Sequence, residues 1–436
     1  MKIKRILSGV ILFWFAFIIL AKPAWAFCGF YVAASDAKLY NKASQVIIAR
    51  NGDLTILTMA NDYQGEVKDF ALVVPVPVVL TQDQVRVSDP TILERLDTFS
   101  SPRLVEYFDS DPCGINVSPE EMLQRTRGPL TASSRQQTDN ALGVTVEQQF
   151  SVGEYDIVIL SAKESNGLET WLKQNGYNIP NGASQLLHSY ILSGMKFFVA
   201  KVNLQEYNKT GFQSLRPLMM AYESPKFMLP IRLGMLNAKN EQDLLVYLLS
   251  PKGQIELTNY RTVKVNSDVE LPEFIEQEFK SFYQDMFQKS YVKEGKKVAF
   301  LEYAWDMSNC DPCAAQPLNS EELKKAGVFW SVSAQSPNTF MTRLHVRYTR
   351  NTFPEDLQFQ ETANRQLFQG RYIIRHPYLE EASCGAAKTY YQSVKARQEK
   401  EAQTLALLTG WDINEIRKKI SFVNTKTNAW WHSIWH

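Results

Sequence analysis

From Ser44 to Leu80 the apolar positions fall in the short β-branched runs of strands. Val46-Ile47-Ile48-Ala49-Arg50 and Leu54-Thr55-Ile56-Leu57-Thr58-Met59 flank Asn51-Gly52-Asp53. Asn-Gly between two such runs predicts a hairpin, because both central residues of that turn need φ > 0. A buried strand from Phe70 to Pro77 follows; Pro75 and Pro77 cannot donate to a ladder, which places that end at a sheet edge. Asp89 as N-cap, with Pro90 in the first turn, predicts a helix from Pro90 to Phe99. No aromatic residue occurs between Phe108 and Phe150, and Ser118 to Asn140 is rich in Ser, Thr, Gln, Arg and Pro, so an insertion near 114–142 reads as a mobile loop or linker.

Beyond it the strand Tyr155–Leu160, helices near Leu168–Gln174 and Gln185–Leu192, and the strand Phe197–Val202 give a β-α-α-β order. Further strands are predicted at Met219–Glu223, Phe227–Leu233, Leu244–Leu249, Ile255–Val265, Val298–Ala304, Thr342–Thr349 and Tyr372–His376. A helix over about Pro272–Lys289 carries Phe274, Ile275, Phe282, Tyr283, Met286 and Phe287 as an apolar stripe. A C-terminal helix from about Ala386 to Leu408 stops at Thr409-Gly410, and Asp412 with Glu415 starts a short one after it. The pattern predicts an α+β fold: mixed, largely antiparallel sheets with helices packed on one side and a helical C-terminus. A weak echo between Leu57–Val76 and Leu218–Ile231, each a strand, a polar turn and a strand meeting proline, suggests a duplicated β module.

The first 26 residues change the picture from fold to compartment. Lys2, Lys4 and Arg5 precede an apolar run from Ile6 to Ala21, followed by Ala24-Trp25-Ala26, the three parts of a secretory signal cleaved after Ala26. The run is shorter than the roughly 20 residues a spanning helix needs, and no later run approaches that length, so no transmembrane segment is expected after cleavage. The bulky Phe27 before Cys28 argues against a lipid anchor. Cleavage removes four cations and no anion, taking the net charge from +1 to −3, and so near a balance argues against nucleic acid as partner. One large domain over 27–423, ending in an aromatic tail at 424–436, is the expected organisation.

All five cysteines, Cys28, Cys113, Cys310, Cys313 and Cys384, follow the signal and are disulfide candidates for an oxidising, periplasmic or extracellular compartment. Four of them can pair and one stays over, and the spacing leaves the pairing open. Cys310-Asp311-Pro312-Cys313 is also the one candidate catalytic pair: a thiolate near a helix N-terminus exchanges disulfides readily, which makes a thiol-disulfide oxidoreductase the alternative function. Helix signals begin six or seven residues past Cys313, too late for that effect, so a structural role is the stronger reading. Asp109, Asp111 and Glu120 match a calcium-loop template at positions one, three and twelve, but Cys113 occupies a ligand position; no metal and no cofactor is expected. The histidines, His188, His345, His376, His432 and His436, form no zinc or triad spacing. Arg343, His345 and Arg347 alternate along one strand face, where they can bind an anion or form a salt-bridged surface. An undescribed hydrolase built from dispersed carboxylates such as Glu302 and Asp306 is a second alternative.

Several segments together resemble the exported bacterial proteins of domain-of-unknown-function family 2330. They are Phe27–Ala33, Leu57–Pro77, Ser101–Phe108, Leu229–Gly234, Glu302-Tyr303-Ala304-Trp305 and Arg343–Asp356 with Pro354-Glu355-Asp356. The resemblance implies export and one family-wide fold, and no activity. Signal, cysteines and the missing catalytic set point to a disulfide-stabilised exported protein that binds or scaffolds an envelope or extracellular partner.

Overall fold

The structure, a computed structural model, describes residues 30–33, 40–41, 44–60, 63–64, 70–113, 144–175, 179, 182–212, 214–236, 240–309, 315–330, 338–380, 382 and 384–423. The hairpin forms as its turn chemistry requires: Ser44–Asn51 and Leu54–Met59 pair antiparallel around Gly52 at φ +62°. They sit mid-way in a nine-stranded sheet. On one flank come Leu218–Glu223 and Val85–Val87. On the other, Gln242–Ser250 runs parallel to Ser44–Asn51, then Phe340–Tyr348 and Val298–Asp306 follow antiparallel, and the far edge of Val298–Asp306 takes Arg261–Lys264 in parallel and the short Phe368–Gln369 antiparallel. A five-stranded antiparallel sheet is ordered Phe30–Ala33, Phe70–Val76, Lys196–Val202, Tyr155–Ala162, Val144–Val152.

Alternation along the strands decides how these sheets meet. Val46, Ile48, Val246 and Leu248 of the larger sheet pack against Leu72, Val74, Ile157 and Phe198 of the smaller in one continuous core. The other face of the smaller sheet, Ala71, Val73, Phe197 and Val199, takes Leu168, Leu172 and Leu187 from helices Ser165–Gln174 and Ala183–Leu192. The other face of the larger, Ile47, Ala49, Tyr247 and Met341, takes Ile92, Leu96 and Leu323 from helices Thr91–Ser100 and Ser320–Lys325. Helix, sheet, sheet, helix: four layers result, each sheet carrying helices on its outer face. Helix Ile275–Lys293 extends the last layer, with Phe287 and Tyr291 over Val298 and Phe300. Its far side meets helices Gly385–Thr409 and Ile413–Lys419, which also cover the parallel sheet Val269–Leu271, Arg371–His376, Arg103–Phe108.

The proline-bearing strand Phe70–Val76 is internal only in part: Phe30–Ala33 pairs with it as far as Val73, and beyond that no described strand lies on the same flank. The run Ile255–Val265 is two strands. Ile255–Leu257 pairs with Leu357–Glu361, and Arg261–Lys264 with Val298–Asp306. The run Phe227–Leu233 keeps only Met228–Leu229 as strand, since Pro230 has no N–H and the next amides, of Ile231 and Arg232, bond to Asp356. The echoed strands Leu54–Met59 and Leu218–Glu223 are direct neighbours, but their successors, Phe70–Val76 and Met228–Leu229, lie in different sheets, so the echo is not a repeated unit.

Candidate functional site

Arg343, His345 and Arg347 share the helix-facing side of strand Phe340–Tyr348, while Leu344, Val346 and Tyr348 enter the inter-sheet core. Their partners come from the adjacent strands. Asp243 lies beside Arg347 in register. Glu302 sits where the pairing of Val298–Asp306 slips between Leu301 and Tyr303, a β-bulge. The bulge resets the alternation: Leu301 and Ala304 point inward, while Glu302 and Tyr303 are both left for the outer face. Arg343 Nε donates to Glu302 Oε2 at 2.6 Å and Nη1 to Asp97 Oδ1 at 2.7 Å. His345 faces Glu302 Oε1 through Nδ1 at 2.8 Å and Asp243 Oδ1 through Nε2 at 3.0 Å, and Arg347 clamps Asp243 at 2.7 Å through both Nε and Nη2. Tyr283 from helix Ile275–Lys293 donates to Glu302, and Phe287 stacks on the imidazole with centroids 4.0 Å apart.

Burial works against charge on His345, yet Glu302 and Asp243 outweigh it and lift its pKa to about 9, so both ring nitrogens carry protons. Burial likewise opposes ionisation of Glu302, but Arg343 and His345 hold it at about 2. Asp243, also buried, is held well below the usual carboxylate range by His345 and Arg347. Three cations thus face three carboxylates in a closed array. The basic strand face is brought together as its spacing suggests, and its donors are taken up by the protein's own anions. An external anion would have to displace Glu302 or Asp243.

A second network is open on one side. Asp356 accepts from the amides of Ile231 (2.9 Å) and Arg232 (3.2 Å), from Arg232 Nε (3.0 Å) and Nη2 (2.8 Å), and from the Tyr190 hydroxyl (2.7 Å). The guanidinium of Arg232 lies over the Tyr190 ring, 4.5 Å from its centroid. Burial and the neighbouring Asp356 push the Tyr190 phenol well above its ordinary value, so it stays a donor. Above this floor opens a cleft of about 560 Å³, walled by Phe227, Met228, Met195 and Phe359 and rimmed by Lys226 and Glu355. Phe227 and Phe359 pack with centroids 5.3 Å apart. Two separated segments, Leu229–Gly234 and Pro354-Glu355-Asp356, meet here, and the carboxylate of one organises the backbone of the other.

Cys113 and Cys384 form a disulfide across 271 positions of sequence. Cys28, Cys310, Cys313, Glu120, His432 and His436 lie outside the described residues, as do residues 1–29, where a signal is expected, and residues 114–143 and 424–436. Asp109 accepts from Tyr390 and Arg397, and Asp111 accepts the Cys113 amide, so of the calcium candidates these two serve the bridged turn. His188 is exposed, and His376 bonds Glu106. Asp306 pairs with Arg365, away from the Glu302 array. Among the described residues no group of three or more His, Cys, Asp or Glu is placed to hold a metal, and no helix is long and apolar enough to cross a membrane. Asp97, Asp243 and Tyr283, and the Asp356–Arg232–Tyr190 set, escaped the sequence reading; the signal for Asp243 was a lone acid heading the otherwise apolar run Leu244–Leu249.

The chain is therefore a four-layer α+β protein with a largely buried, internally paired ionic array and a separate open cleft with aromatic walls. It belongs to domain-of-unknown-function family 2330, whose family model, described as an uncharacterized protein conserved in bacteria, matches residues 22–360. No curated protein and no solved structure matches it.

Proposed function

We propose that this is an exported, disulfide-stabilised binding protein of the bacterial envelope, periplasmic or secreted, whose ligand seats an apolar face in the cleft above Arg232. The observation that carries the reading is the cleft itself. Its volume of about 560 Å³ is that of a ligand pocket, its walls set aromatic and thioether groups beside Ser193, Thr258 and Gln358, and its polar floor is pinned by a fully engaged carboxylate. Lys226 and Arg232 balance Glu355 and Asp356, so the site offers apolar surface more than net charge. Export follows from the leader, and the Cys113–Cys384 bridge fits an oxidising compartment.

The probe is N-phenyl-1-naphthylamine, an uncharged apolar dye, titrated by fluorescence into the mature chain. Wild type should bind it, and Phe227→Ser should weaken binding by about tenfold or more, about 1.4 kcal/mol, in a protein that melts lower but is still folded at the titration temperature by circular dichroism. Equal affinity in the two proteins, or none in wild type, overturns the cleft. Intact, reduced chain found in the cytosolic fraction overturns export.

A further inference from the structure

A second pocket, of about 280 Å³, opens beside the C-terminal helices. Its walls are the start of helix Ile275–Lys293, the end of strand Arg371–His376, helix Gly385–Thr409 and the segment that follows helix Ile413–Lys419. The volume lies near the lower end of the roughly 300–1,000 Å³ typical of ligand sites. The basic side chains at its walls are already engaged. Arg375 bonds Glu270 at 3.0 Å, His376 bonds Glu106 at 2.9 Å, and Lys419 bonds both Glu278 oxygens at 2.6 and 2.8 Å. Gln398 is spent on the backbone of Ser421 and Val423.

The carboxyl groups are less fully engaged: among the described residues Glu273 has only His376 Nδ1 at 4.0 Å, and Glu401 has an ion-pair contact without a hydrogen bond. Glu401 lines the pocket with its side chain only 6% exposed, and its Oε1 makes no hydrogen bond. Arg397 Nε stands 3.4 Å away without hydrogen-bond geometry, because the Arg397 head group is turned to Asp109 through Nη2. Glu273 and Glu276 add two further acids to the lining. An unsatisfied buried acceptor costs on the order of 1–3 kcal/mol; Oε1 is covered where it stands, so a donor entering the pocket relieves that cost by drawing the Glu401 carboxyl round toward it. We propose that this pocket is a second ligand site, selective for small molecules bearing a protonated amine, with Glu401 accepting from the ammonium and Glu273 adding attraction at the rim.

Burial raises the Glu401 carboxyl to about 7, with Arg397 opposing the rise and Glu270 and Glu273 adding to it. Arg375, also near, favours ionisation. Since the ammonium needs the carboxylate, amine affinity should climb between pH 5.5 and 8. The groups facing Glu401 are Arg397 on its own helix, Glu270, Arg375 and His376 from the parallel sheet, Glu273 and Glu276 beside the long helix, and Lys419 from the last helix. A Glu401→Gln variant separates its titration from theirs.

The test is calorimetric titration of the mature, oxidised chain with 1,4-diaminobutane, using 1,4-butanediol as the uncharged analogue. Binding of the diamine and not of the diol is expected at pH 8, with a loss of about tenfold or more in Glu401→Gln and a flattened pH profile. Unchanged affinity in that variant, equal binding of the diol, or no binding of the diamine overturns the proposal. Should Glu401→Gln fail to fold, Glu273→Gln on the exposed rim decides: a loss of about two- to fivefold supports the site and unchanged affinity rejects it.

Discussion

His345 is a cation that the fold maintains against the cost of burying it. Its folded pKa of about 9 lies above the ordinary value of 6.5, so its contribution to stability is full below about pH 6.5 and is lost as pH rises through 9. Glu302 is the mirror case. Held at about 2 from 4.5, it stabilises above pH 4.5 and loses that contribution as pH falls toward 2. Urea unfolding between pH 6 and 9.5 should therefore show wild type losing about 3 kcal/mol over the alkaline limb. His345→Gln should lie about 3–5 kcal/mol lower at pH 6, because two buried carboxylates lose a shared cation, and its alkaline limb should be flatter. A variant with the wild-type slope contradicts the assignment. The basic half of this array was legible, since Arg343, His345 and Arg347 recur at a strand's period of two. The acidic half was not. Glu302 reaches the array only through a bulge, and a one-residue slip leaves no mark in a hydrophobic pattern.

At the scale of elements, local chemistry was readable and pairing was not. The Asn-Gly hairpin and the C-terminal helix, expected over 386–408 and found over Gly385–Thr409, rest on turn and capping residues that act within a few positions. The cysteine partners rest on a contact between distant segments. Strand Arg103–Phe108 runs parallel to Arg371–His376, which carries Cys113 to the start of helix Gly385–Thr409 and its Cys384. Asp109, held by Tyr390 and Arg397 at 2.7 and 2.8 Å, fastens the same corner. Reduction of the bridge should cost about 2–5 kcal/mol. The loss should be local first: hydrogen exchange ought to show weakened protection in helices Gly385–Thr409 and Ile413–Lys419 while the two sheets keep theirs. Uniform loss across the sheets would show that the bridge guards the whole core instead. Asp109→Asn in oxidised protein should loosen the same helices to a smaller degree, measured in the same way.

For the whole molecule, alternation revealed that the strands had two apolar faces but not what each face met, which is why the four layers were invisible before the structure. The family match to residues 22–360 ends inside this architecture. Past that point, Arg371–His376 still joins Val269–Leu271 to Arg103–Phe108, and Ala402, Leu405 and Ile416 still cover Leu271, Ile275, Phe282 and Met286. Uncovering those last four side chains would forfeit on the order of 6–12 kcal/mol, since each buried large apolar side chain contributes about 1.5–3 kcal/mol. That is as much as the whole stability of an ordinary domain, about 5–15 kcal/mol. A chain spanning 27–360 should therefore fail to melt cooperatively and should bind hydrophobic dyes indiscriminately, whereas 27–423 should unfold in one transition followed by circular dichroism. A cooperative melt from the shorter chain, close to that of the longer one, would mean that the matched region carries its own core and that the C-terminal helices are an appended module. In that event the amine pocket, which needs Glu401 and His376, would belong to the module's junction with the domain and not to the domain itself.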